Sequence, residues 1–435
     1  MTPTCLVLVD GEHYPPVIRA AVSRLPERGY RPLAALFLGG TEKVEGDLDL
    51  GIPLERGEPI DLLGVLIDRH RPDVVIDLSD EPVLDYRLRM RLAGIALQRG
   101  VSYRGADFSL EPPRLPVLTS RPSVAVIGTG KRAGKTALSI ELARHWRGEG
   151  RRVVIVTMGR GGPPDPVVLR AGEFEPSGTG LSRLAELGLH AASDYAEDAL
   201  LARVDTVGTR RCGGGLAGEP FDDNFHLGVS VAEALEPDLL IFEGSGTAVP
   251  PARAGATVLV APGSIDPEFL LGYLGPYRLL HADALVIIGE ASSKLGEEAL
   301  GINPSLVVFR AHYVVEPTVA VSGRRVVVAT TAPEQAGEVL ESQLRELGAV
   351  LVAMVHHLSN RDRLRAGLAQ LPEHDLVLTE IKAAAVDVVI PWARSAGIEV
   401  GFLHNRVEVE GGIGGLAAVV EKVWLRLLGS SGRPS

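Results

Sequence analysis

Between Val124 and Trp146 the chain reads VAVIGTGKRAGKTALSIELARHW, and no other segment constrains the fold as tightly. A four-residue apolar run, Val124–Ile127, leads into nine residues containing three glycines. An amphipathic helical pattern follows. A buried strand, a glycine loop and a helix in direct succession are the parts of a phosphate-binding loop at the edge of a parallel sheet. Gly128, Gly130 and Gly134 let the backbone approach phosphate oxygens and turn its N–H groups inward. The helix N-terminus adds the positive end of its dipole. Thr129, Lys131, Arg132 and Ala133 complete the cradle. Lys135 is placed to bridge the β- and γ-phosphates of a nucleotide, and the Thr136 hydroxyl to ligate Mg²⁺. The expected cofactors are therefore ATP and Mg²⁺.

The spacing departs from the commonest pattern in one respect. GxxxxGK[ST] would put its first glycine at position 129, where this chain has Thr129, and the glycine stands one residue earlier, at Gly128. This variant resembles the loop of dethiobiotin synthetase and its relatives among the P-loop ATPases. A second Mg²⁺ ligand is expected at the carboxyl end of a neighbouring strand, where ligands of open α/β sheets gather. EPDLLIFEGSG (Glu236–Gly246) supplies it as Glu243, with Asp238 at the wrong end of the strand for that role.

Short apolar runs alternate with amphipathic helices along the whole chain, which implies α/β architecture with parallel sheets covered on both faces. The first ~110 residues read as a small domain, with strands at Leu6–Val9, Leu33–Leu38 and Val74–Leu78. The proline-rich stretch Glu111–Pro122 is the linker. We expect a small N-terminal α/β domain over residues 1–115 and a larger P-loop NTPase-type parallel-sheet core over 116–435. The core carries a C-terminal α/β lobe at about 320–428, either separate or continuing the same sheet. Gly172–Gly228 reads as irregular and glycine-rich.

Further anion-binding candidates follow strand ends. VTMGRGGP places Arg160 among glycines, and TRRCGGGLAG places Arg210 and Arg211 before three more. Glycines around arginines at a strand edge suit a second anion. With Lys131, Arg132 and Lys135 they make a cationic pocket in a chain of net charge −11, more than ATP alone needs. In the first domain Asp10, Glu12 and His13 follow a strand, where His13 can contact a substrate phosphate or shuttle a proton; helix capping is the plainer reading. Cys212 has no partner histidine at a telling spacing, and phosphoryl transfer needs no thiol.

Composition removes other classes. The acidic charge argues against nucleic acid and anionic membrane surfaces. Two cysteines exclude a disulfide framework and fit a reducing compartment. No uncharged apolar run reaches the ~18 residues of a membrane span, and the first residues lack a signal peptide's basic and apolar regions. A cytoplasmic protein is expected.

Five segments carry a resemblance to a family: VDGEHYPP (Val9–Pro16), GTGKRAGKT (Gly128–Thr136), VTMGRGGP (Val156–Pro163), TRRCGGGLAG (Thr209–Gly218) and FEGSG (Phe242–Gly246). Together they resemble cyclic 2,3-diphosphoglycerate synthetase. The resemblance implies ATP-driven closure of an intramolecular phosphoanhydride in 2,3-diphosphoglycerate, giving ADP and phosphate. It implies catalytic roles for Lys135, Lys131 and Arg160, and substrate contacts from Asp10, Glu12, His13, Arg160, Arg210 and Arg211. Metal ligation would fall to Thr136 and Glu243, and the assembly is expected to be a homodimer. The C-terminal lobe has a fainter likeness to tetraacyldisaccharide 4′-kinase, which draws attention to Glu380 and Lys382. Two other readings share the loop: a dethiobiotin-synthetase-like ligase on another small acid, and a nucleotide-dependent switch or metallochaperone.

Overall fold

The computed structural model describes residues 2–40, 42–44, 48–188, 193–290, 293–332, 334–382 and 384–430. Its first sheet comprises β1 (Thr4–Val9), β2 (Arg31–Phe37), β3 (Leu54–Arg56), β4 (Val74–Asp77), β5 (Ser102–Arg104) and β6 (Ser109–Leu110). Their spatial order is β3-β2-β1-β4-β5-β6, parallel except for the last pair. The chain thus winds outward from β1 in one direction and then returns to its other side. The reversal between β1 and β4 leaves a crevice at their carboxyl ends. Both faces of β1 are buried, so its run is continuously apolar rather than alternating.

After the extended linker the remaining strands form one large sheet. They are β7 (Ser123–Gly128), β8 (Val153–Gly159), β9 (Val167–Leu169), β10 (Asp205–Cys212), β11 (Asp222–Asp223), β12 (Leu239–Glu243), β13 (Ala256–Pro262), β14 (Ala284–Ile288), β15 (Val307–Pro317), β16 (Arg325–Ala329), β17 (Val350–Val355), β18 (Leu376–Thr379) and β19 (Glu399–Val409). The order is β11-β10-β8-β12-β7-β13-β14-β15-β19-β18-β16-β17, with β9 on β10. The C-terminal lobe therefore continues the sheet of the loop-bearing core, the question that periodicity left open. Two 11-residue strands make the splice. The first half of β15 runs parallel to β14, and its second half pairs antiparallel with β19. The first half of β19 runs parallel to β18.

Two expectations need correction. Gly172–Gly228 is not irregular: it holds helices Gly178–Glu186, Ser193–Ala202 and Phe225–Glu233 and strand β10. Its glycines mark close approaches instead, as at Gly208, where a Cβ would lie 2.7 Å from the Tyr195 ring, and Gly228, where it would lie 2.2 Å from the Thr209 methyl. The apolar run Val400–Leu403 reads as a four-residue strand; the strand in the structure is nearly three times longer, because its second half carries the polar residues His404, Asn405, Arg406 and Glu408 that hide it.

The core loop's helix, Lys135–Gly148, is buried on one face of the large sheet, with Trp146 fully enclosed and 5.4 Å from Trp424 between ring centres. That cluster extends without a break into the C-terminal lobe through Ile381, Val386, Ile390 and Phe402. The first domain docks differently: its core takes in Ala217, Leu274 and Tyr277 from the large domain. Among the described residues no helix is long and apolar enough to cross a membrane. Phe402 is 0% exposed on the splicing strand, so Phe402→Ala should cost about 3–5 kcal/mol, read from the chemical denaturation midpoint.

Candidate active site

Sequence dictates the start of the site. β7 ends at Gly128, whose missing side chain leaves room for the Lys135 stem: a Cβ there would meet Lys135 atoms at 3.1–3.2 Å. Gly134 has φ of +100° and begins the helix, and a Cβ on it would lie 2.5 Å from Ile288 and 2.6 Å from the Tyr313 hydroxyl. The backbone conformation at Gly134 favours glycine, and a side chain at Gly128 would push the Lys135 stem aside. The Lys135 ammonium donates to the carbonyls of Gly130 at 2.9 Å and Gly246 at 3.1 Å. Burial lowers its pKa, Arg160 and Arg211 lower it further, and Glu243 and Asp194 oppose them.

Glu243 stands at the carboxyl end of β12, between Val126 of β7 and Thr157 of β8. Its Oε1 accepts from the Thr136 hydroxyl at 2.5 Å, and its Oε2 is buried. Burial and the neighbouring Asp194 raise its pKa to about 7, against the pull of Thr136 and Lys135. Beside it lies Asp198, 0% exposed, whose pKa is pushed well up by burial and then by Glu243, the two carboxyls standing close enough to share a proton in a side-chain hydrogen bond. Residues Asp194, Glu197 and Asp198 come from one helix, Ser193–Ala202, in the segment that reads as irregular. The available signal was three carboxylates at i, i+3 and i+4 on one helical face, an arrangement that repels itself unless cations are near.

A cavity of about 850 Å³ opens over the loop. Lys131, Arg132, Ala133, Gly134, Lys135, Thr136, Arg160 and Glu243 all line it, so eight of the expected residues converge. Among the described residues Lys131, Arg132 and Arg160 make no ion pair. Gly128, Thr129 and Gly130 do not line it; the Thr129 N–H donates to the Val260 carbonyl.

The remaining candidates lie elsewhere. Arg210 and Arg211 are neighbours on β10, so their side chains leave on opposite faces. Arg211 is 8% exposed and donates to the carbonyls of Ser245 at 2.7 Å and Gly213 at 2.6 Å. It lies close to Arg160, since a Cβ on Gly246 would be 2.6 Å from one guanidinium and 3.3 Å from the other. Arg210 does not join them; its N–H donates to Asn224. Asp10, Glu12 and His13 do not line the cavity. They occupy the first domain's own crevice, with His13 between Asp10 at 2.8 Å and Asp80 at 3.3 Å. The loop 213–219 spans toward that domain, with Ala217 in its core and Glu219 bonded to Arg114.

The C-terminal lobe forms the far wall, which sequence reasoning touched only through Glu380 and Lys382. Glu380 accepts from the Thr330 hydroxyl at 2.5 Å and from Thr331 N–H and hydroxyl at 2.6 and 2.7 Å. Lys382 pairs with Glu197 across the cavity at 2.7 Å, which raises its pKa.

One pH dependence follows. In the metal-free protein Glu243 keeps its proton to about pH 7, whereas the unfolded chain releases it in the ordinary carboxylate range. The folded state is proton-rich between those values, so stability falls as pH rises through that window. Glu243→Gln should lose this part of the fall and be the more stable form at pH 8 with chelator present, measured by chemical denaturation at pH 5 and pH 8.

Family models match the chain in three consecutive parts. These are the cyclic 2,3-diphosphoglycerate synthetase N-terminal domain over residues 4–111, its P-loop domain over 123–301 and its C-terminal domain over 317–406. Curated relatives named cyclic 2,3-diphosphoglycerate synthetase run the full length. The protein of Rubrobacter xylanophilus is 45% identical, covering 98% of each chain. That of Thermococcus kodakarensis is 42% identical, covering 93% of this chain and 95% of its own. That of Methanothermus fervidus is 38% identical, covering 93% of both. Among solved structures, LpxK of Aquifex aeolicus aligns over 72% of this chain and 90% of its own at 15% identity and a TM-score of 0.44. With a phosphate loop intact in backbone and side chain, and relatives matching from end to end, the chain belongs to the cyclic 2,3-diphosphoglycerate synthetase family.

Proposed function

We propose that this protein uses ATP to close an intramolecular phosphoanhydride in 2,3-diphosphoglycerate, releasing cyclic 2,3-diphosphoglycerate, ADP and phosphate. The observation that carries the reading is the gathering of Lys131, Arg132, Lys135, Arg160 and Arg211 around one glycine loop in a protein of net charge −11. Burial, and then Arg160, push the Arg211 pKa down, so these cations strain against one another until anions separate them. Two polyanions held side by side would relieve that strain.

One phosphate oxygen of the substrate attacks the γ-phosphorus of ATP, and the bond to ADP breaks. The second substrate phosphate then attacks the first, now activated, phosphorus; the ring closes and inorganic phosphate leaves. The substrate supplies both nucleophiles, so the protein's work is positioning and charge neutralisation. Lys135 follows the transferred phosphoryl group, exchanging its two carbonyl partners for phosphate oxygens. Arg160 and Arg211 hold the substrate phosphates against their mutual repulsion, with Lys131 flanking them. Asp10, Glu12 and His13 stay in the first domain's own crevice, outside this cavity, and take no part in these steps.

The donors near Thr136 suit Mg²⁺, a hard cation that takes oxygen ligands. Thr136 Oγ1 and the Glu243 carboxylate would hold it. Such an ion supplies neutralisation of charge on the β- and γ-phosphates.

Phosphorus NMR of the protein with ATP, Mg²⁺ and 2,3-diphosphoglycerate tests the reaction. A new upfield phosphoanhydride signal should grow in step with ADP and phosphate. ATP hydrolysis at the same rate without the acid would sink it in favour of a nucleotide switch. Lys135→Ala should lower turnover about 10²-fold or more with the fold intact by circular dichroism. Arg211→Ala should weaken 2,3-diphosphoglycerate binding while ATP binding persists, and equal loss of both would remove its assignment to the substrate.

A further inference from the structure

The C-terminal lobe repeats, on a smaller scale, the winding that makes a ligand crevice. From β16 the chain crosses to β17 on one side, then returns past β16 to β18 and β19, giving the order β17-β16-β18-β19. The reversal falls between β16 and β18. Ligands of doubly wound sheets bind outside the carboxyl ends of the strands at such a point. Here those ends carry Thr330-Thr331 and Glu380, which meet across the crevice in the three hydrogen bonds already described. This crevice opens into the same cavity as the glycine loop.

We propose that this crevice is the nucleoside subsite: the C-terminal lobe holds the base and ribose of the nucleotide whose phosphates lie on the glycine loop. The inference rests on the ATP-dependent reading above. Four observations carry it. First, about 850 Å³ is the size of a whole-ligand cavity, not of a polyphosphate track, and the C-terminal lobe lines it with Val339, Leu340, Leu358 and Leu403. The two cations on that wall, Arg361 and Lys382, are already paired with Asp387 and Glu197, so the wall suits a flat aromatic base better than a phosphate.

Second, the loop domain closes its own flank. The Ile288 and Tyr313 side chains stand 2.5 and 2.6 Å from where a Cβ on Gly134 would sit, so the space on that side of the loop is already filled. Third, Glu380 is 9% exposed and has three donors on its two oxygens, two on Oε1 and one on Oε2. A carboxylate has about four acceptor positions, so Oε2 keeps one, suited to a sugar hydroxyl. A phosphate there would be repelled. Fourth, Asn405 on β19 lines the cavity, and among the described residues its amide has no partner. An amide supplies the donor and acceptor pair that the edge of adenine offers in reverse.

The test uses calorimetric titration of the full-length protein with ATP, with inorganic tripolyphosphate and with 2,3-diphosphoglycerate. The variants are Asn405→Ala and Val339→Asp. Both positions are exposed at the cavity wall, Val339 at 61%, so the fold should survive, as circular dichroism would verify. Each variant is expected to bind ATP roughly tenfold more weakly, the size of one good base contact, with tripolyphosphate and 2,3-diphosphoglycerate unaffected. ATP binding equal to wild type in both variants would overturn the proposal. So would equal weakening of ATP and tripolyphosphate, or weakening of 2,3-diphosphoglycerate alone, which would give the crevice to the acid. Failure of the wild-type protein to bind ATP at all would instead overturn the ATP-dependent reading, and this proposal with it.

Discussion

The hydrogen bond from the Thr136 hydroxyl to Glu243 is the joint on which the site depends. It ties the first turn of the helix after the glycine loop to the carboxyl end of a different strand. Glu243 is 2% exposed and Thr136 half-buried, so water competes little for this hydrogen bond and its loss is costly. The loop's shape follows from that anchor. With the helix start and the end of β12 fixed relative to each other, Lys135 can reach the carbonyls of Gly130 and Gly246 together. Gly134 and Gly246 take positive φ values that favour glycine, and at Gly128 a Cβ would crowd the Lys135 stem.

Around this joint the molecule is organised as three crevices at carboxyl edges of wound sheets. One lies in the first domain, beside Asp10 and Asp80. The central one bears the glycine loop. The third lies in the C-terminal lobe, between Thr330 and Glu380. The loop 213–219 leads from the central crevice to the first. The splice of β15 with β19, together with the ion pair of Lys382 with Glu197, leads to the third. The antiparallel pairing of two long strands makes the lobe one sheet with the core, so the far wall of the cavity is held at a set distance from the phosphate loop.

The charge pattern is the other half of the design. Uncompensated cations line one end of the cavity, while carboxylates on helix Ser193–Ala202 and β12 sit beneath it. Without ligands both sets are under strain: Lys135 and Arg211 are pushed toward losing protons, Glu243 and Asp198 toward gaining them. Bound phosphates and a divalent cation would satisfy both at once, the expected behaviour of a site that binds a metal–nucleotide complex.

The sequence determined much of this by itself. Gly128–Thr136 after an apolar run, and Glu243 at the end of another, specify their chemistry locally, since a strand, a tight turn and a helix start are set by neighbouring residues. The alternation of apolar strands and helices likewise pointed to α/β architecture with parallel sheets, but left open whether the C-terminal lobe shares the core's sheet. What only tertiary structure decided involves partners far apart in the chain. The length of β15 and β19 rests on pairing between residues nearly a hundred positions apart, which a polar half-strand does not announce. Helix Ser193–Ala202 lies in a glycine-rich segment whose glycines serve close packing, not flexibility. Arg210 and Arg211 look equivalent in sequence, yet strand geometry sends one to the site and the other away. Asp10, Glu12 and His13 form a cluster of their own outside the cavity, because long-range docking of the two domains, rather than local pattern, sets which strand ends face one another.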